Sequence, residues 1–306
     1  MTLTKFGVKI VQAGYTYDQI CSLCLSAESM DFDSFWVADH MYSWGRKPTD
    51  KFALESTTIL ANLASLTSRI RLGTLVICNI FRHPAVLAKI TSSLDAISGG
   101  RLELGIGAGG PSTPLELAGY GMSFPKRRER VERLAETIQV LNAMWTEPLA
   151  NFSGKYYKLQ DVINNPKPIQ KPHPRIWVGG ERDDILRVAA KYANGWNGRR
   201  LAVEVLRERV RLLEQLCEEN GRRERFEKSW QGSILLANNE SELIEKKNKY
   251  GVEEGSIVGT CDQVTQKLQG YVDAGVTYFM LHFQDDKERD YNSLSLFRDM
   301  VAPNFS

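Results

Sequence analysis

The stretch Phe6-Gly-Val-Lys-Ile-Val11, with Tyr17 to Met30 and then Ser34-Phe-Trp-Val-Ala38 behind it, decides the fold. The first piece is a short β-rich run. The second carries Ile20, Leu23, Cys24, Ala27 and Met30 at helical spacing, and the third is β-rich again. Strand, helix and strand joined by short links predict parallel strands with right-handed crossovers.

Outward from Ala38 the order repeats. A helix over Phe52 to Leu66 leads to a strand over Ile70 to Ile77, and a helix over Pro84 to Ile97 stops at Gly99-Gly100 before a strand over Leu102 to Ile106. A helix over about Lys126 to Trp145 puts Val131, Leu134, Ile138, Leu141 and Trp145 on one stripe, while its Lys/Arg/Glu-rich start reads as a solvated face. Residues Thr146 to Pro174 break the pattern with Pro166, Pro168, Pro172, Pro174 and Ser153-Gly154. They read as an insertion, with a small hairpin expected at Lys155 to Leu159.

Alternation resumes with a strand at Arg175 to Val178, a helix at Asp183 to Tyr192, a strand at Gly195 to Asn197 and a helix at Val203 to Glu219. A strand at Trp230 to Ala237, helical stretches at Glu240 to Lys249 and Cys261 to Ala274, a strand at Val276 to Leu281 and a helix at Leu294 to Val301 finish the chain. Eight parallel strands in this rhythm predict an α/β fold, a single (β/α)8 barrel over residues 1–306 with an insertion at about 146–174.

Composition limits the partners. The 306 residues carry a net charge of +2 and 42% hydrophobic residues, with no long run of one charge. That argues against nucleic-acid or anionic-membrane binding and leaves small acidic ligands open. Met1 to Gly7 lacks a signal-peptide apolar region, and no stretch approaches the roughly 20 apolar residues of a membrane span, so a cytoplasmic enzyme is expected. The five cysteines are odd in number and scattered, as reduced thiols are. Cys21 and Cys24 form C-x-x-C inside a helical pattern rather than at a helix start, which argues against a redox or metal role.

Gly105-Ile-Gly-Ala-Gly-Gly110 matches G-x-G-x-x-G, yet Pro111-Ser-Thr-Pro114 follows where a dinucleotide site needs a helix to open. These glycines are expected instead to let the chain pass close to something flat or bulky. In a barrel, chemistry sits at the carboxyl ends of the strands. The second strand ends in Asp39-His40, with Trp44 four residues on. His40 is therefore the proton-transfer candidate, set against the plainer reading of a capped loop histidine. His83 suits a helix cap, His173 a structural place between prolines, and His282 ends the eighth strand near the pocket. No H-x-H, H-E-x-x-H or G-x-S-x-G occurs, so neither a metal centre nor a serine nucleophile is expected. Val178-Gly-Gly-Glu181 and Gly195-Trp-Asn-Gly-Arg-Arg200 offer freed N–H groups and two arginines for a phosphate, or simply tight βα turns.

Several motifs in order carry a resemblance over nearly the whole chain. They are Phe32 to His40, Leu72-Gly-Thr-Leu-Val76 with Phe81-Arg-His-Pro-Ala-Val-Leu-Ala88, Leu94 to Gly109, Ile176 to Gly180 and Ala193 to Asn197. Together they resemble the bacterial luciferase-like superfamily, whose (β/α)8 barrels use FMN or the deazaflavin coenzyme F420. Asp39-His40-Met-Tyr-Ser-Trp44 is similar to its F420-dependent dehydrogenases and reductases. The resemblance implies His40 as acid/base, Trp44 as a wall of the substrate pocket and Asp39 as a contact to the deazaflavin. It implies a non-prolyl cis peptide bulge at Leu75-Val76 behind the ring, with Cys78 and Asn79 nearby. Gly107 and Gly109 also go to the coenzyme, and Gly179, Gly180 and Arg199 to its phosphate tail.

One departure stands out. The branch's sugar-phosphate and alcohol dehydrogenases carry a glutamate after the Gly-rich strand, where Gly109-Gly110-Pro111 stands here, and Glu116 is close enough to replace it. Hydride transfer with a small organic substrate (an alcohol, sugar phosphate or pterin-like molecule) is the implied reaction. The alternatives are an FMN-dependent monooxygenase and a non-catalytic flavin-binding barrel; a homodimer is implied by the same resemblance.

Overall fold

The computed structural model describes residues 3–42, 53–222, 224–285 and 291–305. Strand β1 (Lys5–Ile10), helix α1 (Tyr17–Ser29) and strand β2 (Ser34–Val37) open the chain, followed by α2 (Ser56–Leu66), β3 (Arg71–Cys78), α3 (Pro84–Ile97) and β4 (Leu102–Gly107). Then come α4 (Thr113–Gly119), α5 (Arg127–Thr146) and a two-stranded antiparallel sheet of β5 (Ala150–Ser153) and β6 (Lys158–Val162). The second half runs β7 (Arg175–Gly179), α6 (Asp183–Tyr192), β8 (Gly195–Arg199), α7 (Val203–Glu219), β9 (Glu227–Ala237), α8 (Glu240–Tyr250), β10 (Ile257–Thr260), α9 (Cys261–Asp273), β11 (Tyr278–Phe283) and α10 (Asn292–Leu296).

Among the described residues, β1, β2, β3, β4, β7, β8, β9 and β11 pair in parallel in that cyclic order, and β8 against β9 and β11 against β1 close the ring. The expected (β/α)8 barrel is the fold. Its outer layer follows from period-two strands set against period-3.6 helices. Phe6, Val8 and Ile10 of β1 join the cluster shared with the helices, whereas Gly7 and Lys9 point inward.

Local chemistry sets the helix boundaries. Thr16 and Gln19 form a reciprocal capping box on α1. Glu55 caps α2 through the N–H groups of Thr57 (3.0 Å) and Thr58 (2.7 Å), so this helix starts at Ser56; Phe52, its expected start, lies outside the described residues. His83 is the N-cap of α3, taking Ala85 N at 3.2 Å just before Pro84 fixes the first turn. Helix α4 and strand β10 are among the elements not expected from the sequence. Helix α4 opens three residues after Gly110, and β10 pairs with the far end of β9, Ile257 opposite Ile234 through Thr260 opposite Ala237. The small hairpin spans more than Lys155 to Leu159, since its first strand lies at Ala150–Ser153.

Arg101, just after Gly99-Gly100, ties the amino-terminal face together. Its guanidinium donates to Ala64 O (2.8 Å), Thr67 O (3.0 Å), Thr67 Oγ1 (2.8 Å), Ile70 O (2.9 Å) and Ser98 O (2.6 Å). These acceptors include the open carbonyls at the end of α2. Replacing Arg101 with Met leaves them without donors, and the expected loss is about 2–3 kcal/mol of stability, read from the urea midpoint. Because this face lies opposite the strand ends that carry the chemistry, activity per folded molecule stays unchanged. A midpoint equal to that of the unaltered protein refutes the tie.

Candidate functional site

Inside the barrel, side chains fill the amino-terminal half. Trp36, Trp177 and Tyr278 meet edge to face, with centroids 6.3 Å apart for the two indoles and 5.5 Å for Trp177 and Tyr278. Glu103, fully buried beside them, accepts from Trp177 Nε1 at 2.7 Å and pairs with Arg71. Two residues further along β2 and β7, Ala38 and Gly179 line a cavity of about 440 Å³ at the carboxyl ends of the strands. The aromatic layer is thus its floor.

One wall is the Leu75–Val76 step of β3, whose peptide is cis as the resemblance implied and where pairing with β4 shifts register between Thr74 and Ile77. The Val76 side chain projects over the two neighbouring strands. A Cβ built on Gly107 or Gly179 would come within 2.9 Å of a Val76 methyl, so these positions must be bare for the valine to lie there. The glycines of the misleading G-x-G-x-x-G thus receive a protruding side chain.

His40 lies at the mouth of this cavity. Its Nδ1 is 2.7 Å from Glu116 Oε1, and Glu116 Oε2 accepts from Met41 N at 2.8 Å. The Glu116 side chain is 2% exposed, against 23% for His40. Burial opposes ionisation of Glu116, but the hydrogen bonds from the His40 ring and Met41 N–H hold its carboxyl below the ordinary range. An ionised carboxylate only accepts, which assigns the proton to His40 Nδ1 and leaves Nε2 as the basic nitrogen. Helix α4 supplies the partner: Thr113 and Pro114 begin it, and Glu116 falls in its first turn.

The strand end bearing His40 is fastened from both sides. Gln12 accepts from Ala38 N at 2.9 Å and donates to Ala38 O at 2.7 Å. Asp39 accepts from Cys78 N (3.0 Å), Ser56 Oγ (2.6 Å) and both ends of the Arg82 guanidinium (2.8 and 2.9 Å). Arg82 also pairs with Glu55, whose carboxyl burial would raise but which the N–H groups of Thr57 and Thr58 and the charge of Arg82 bring down to about 2. Asp39 lines the cavity with its carboxylate already engaged, so its geometry is that of a positioning group.

Leu75, Val76, Cys78, Gly107, Gly109, Gly179, Gly180 and Arg199 all line the same cavity. Asn79 stands behind it, its amide bridging Gly107 O and Leu134 N at 3.0 Å each. Trp44 lies outside the described residues. His83 caps a helix, His173 Nδ1 meets Pro174 O at 2.8 Å, and His282 Nδ1 lies 3.3 Å from Ser233 Oγ. Arg200 turns away to pair with Glu253, leaving Arg199 as the arginine on the cavity among the described residues.

The start of α5, expected to be a solvated face, instead sends Arg130 to the carbonyls of Ala108 (2.5 Å) and Gly109 (3.2 Å), while Arg127 pairs with Asp184. Those strand-end carbonyls need donors that the glycine loop itself lacks. Lys9, Gln231, Gln12 and Arg82 received no role from the sequence. The inward parity of Lys9 on β1 was the one available signal for it. Among the described residues no group of three His, Cys, Asp or Glu side chains gathers to hold a metal, and no helix is long and apolar enough to cross a membrane.

With this geometry in place, the profile of the luciferase-like monooxygenase family matches residues 1–251. The chain belongs to that family. Within the family's reach lies a protein named F420-dependent glucose-6-phosphate dehydrogenase from Kineococcus radiotolerans, 28% identical over 315 aligned residues that cover 91% of this chain and 90% of the relative. Further relatives of that name match over 55–60% of their length. Among solved structures, an F420-dependent secondary alcohol dehydrogenase in complex with an F420-acetone adduct superposes with a TM-score of 0.85 at 17% identity, covering 99% of each chain. A monooxygenase from Streptomyces bottropensis superposes with a TM-score of 0.85 at 21% identity over 99% of this chain and 100% of that one. At such identities the structures speak for the family's barrel alone.

Proposed function

We propose that this chain is an F420-dependent oxidoreductase that exchanges a hydride between the deazaflavin coenzyme and a small organic substrate bearing an alcohol or carbonyl group. The observation that carries the reading is the His40–Glu116 pair at the mouth of a glycine-walled cavity. The aligned relative from Kineococcus supports the choice of coenzyme. A planar ring system suits the cavity against the Leu75–Val76 wall, and Arg199 suits an acidic tail.

When bound, the deazaflavin supplies a ring carbon that takes up or gives back a hydride. The chain's own groups do the rest. His40 Nε2 accepts the substrate's hydroxyl proton as the carbonyl forms, and returns it in the reducing direction. Glu116 keeps Nδ1 protonated and stabilises the resulting imidazolium through the same hydrogen bond, while Asp39, locked by Arg82, and Gln12 keep the strand end in place. The aromatic floor and the Val76 wall shut water out from below.

Titration of the purified protein with F420 and with FMN tests the coenzyme. Tight binding of F420, micromolar or better, with FMN much weaker, is the expected result. Binding of FMN without F420 transfers the protein to the monooxygenase reading. A screen of coenzyme reduction over alcohols, sugar phosphates and imines then tests catalysis, and no turnover with any donor leaves a non-catalytic coenzyme-binding barrel.

A further inference from the structure

Lys9 is a buried cation for which the mechanism above has no use. It sits on the inward face of β1, opposite Trp36 in the pairing with β2, and lines the cavity that His40 lines. The residue is 8% exposed, and among the described residues its ammonium makes no hydrogen bond and no ion pair. The charged groups around it are Arg199 of β8, Arg200 just beyond and Glu253 ahead of β10; His282 of β11 stands near Glu253.

That carboxylate is already engaged. Glu253 pairs with Arg200 and accepts from Ser233 Oγ at 2.7 Å, and Ser233 in turn lies 3.3 Å from His282 Nδ1. Glu181 is the further acidic group close to Arg199, without an ion pair between them. Lys9 and Arg199 are therefore two positive charges on one cavity that no carboxylate among the described residues neutralises directly. A desolvated, unpaired cation costs stability, and a side chain of the same length without the charge would avoid that cost.

We propose that Lys9 is an anion receptor whose ammonium holds a carboxylate or phosphate oxygen of the reacting small molecule, so that the chamber takes an acidic substrate. The inference rests on the cavity being the reaction chamber of the proposed oxidoreductase. Burial, then Arg199 and Arg200, push the Lys9 ammonium down to about 8, so the receptor is charged at neutral pH and discharges on moderate alkalinisation. An incoming anion restores the proton's hold. The coenzyme is the other source of such an oxygen, and the experiment separates the two.

The test uses Lys9→Met and Lys9→Arg with inorganic phosphate and acetate as probes, titrated calorimetrically into coenzyme-free and F420-loaded protein. Expected is a loss of phosphate and acetate affinity of about tenfold or more in Lys9→Met, largely restored in Lys9→Arg, with F420 affinity unchanged. Acetate keeps a constant charge above neutrality, so its affinity for the unaltered protein falls as pH rises through about 8.

Thermal unfolding adds a readout that a structural lysine would not give. At pH 7 Lys9→Met melts higher than the unaltered protein. The gap closes between about pH 8 and 10.5, where the unfolded chain keeps the proton that the folded chain has lost. Equal anion affinities in the unaltered protein and Lys9→Met, or no anion binding by either, overturn the proposal. A loss of F420 affinity with anion binding to the loaded protein unaffected overturns it too, by giving the oxygen to the coenzyme. If F420 does not bind the unaltered protein, the coenzyme reading fails, while the coenzyme-free titrations still decide Lys9.

Discussion

In His40→Asn the expected turnover is about 10²–10⁴-fold below that of the unaltered protein, with F420 affinity held within about a few-fold. The split follows from where His40 stands. It lines the mouth of the cavity, whereas the groups suited to the coenzyme, Leu75, Val76, Gly107, Gly179 and Arg199, come from β3, β4, β7 and β8. Asparagine keeps the local shape and polarity but neither takes nor gives a proton near neutral pH. The loss falls on kcat and kcat/KM alike, because the proton moves only in the transition state. Single-turnover coenzyme reduction, followed by absorbance, measures it. Turnover near that of the unaltered protein would mean that another group, or solvent, handles the substrate proton.

Glu116→Gln is the second large effect, and here shape is conserved while hydrogen-bond polarity is not. Among the described residues Glu116 accepts from the His40 ring and from Met41 N–H. Glutamine has one accepting oxygen. A backbone N–H cannot give up its proton, so the oxygen of Gln faces Met41 and its NH₂ faces His40 Nδ1, which must then accept. The imidazole changes tautomer, Nε2 becomes the protonated nitrogen, and the base is lost from the cavity side. Turnover of an alcohol is expected to drop by about 10²-fold or more.

An unchanged rate would remove Glu116 from the mechanism.

The barrel was legible because its two periods do not mix: β-rich runs of three to eight residues alternate with helical stripes, and Gly99-Gly100 or Thr16 mark the joints. His40 was legible from its place at a strand end. Glu116 could be named only as a replacement within reach, since Pro111 and Pro114 read as breakers. The same Pro114, preceded by Thr113 and followed by Glu116, is also how a helix begins, and the structure takes that option.

Lys9 escaped notice for a different reason. A lysine two residues from Gly7 in a β-rich run looks like the polar phase of a half-exposed strand, but a barrel buries both faces, and the inward phase at its carboxyl end is the site itself. Arg199 and Arg200 were indistinguishable by position. Their separation comes from Glu253, more than fifty residues on, which draws Arg200 aside and which no local pattern foretells.

The protrusion of Val76 across two neighbouring strands makes the pocket wall a shared lexicon. Residues 76, 107 and 179 lie on three strands far apart in the chain, yet a larger residue at either glycine collides unless position 76 shrinks. Anyone recoding this pocket for a new substrate has to redraw those three letters together, and variants made one position at a time explore mostly sequences that the barrel cannot close around.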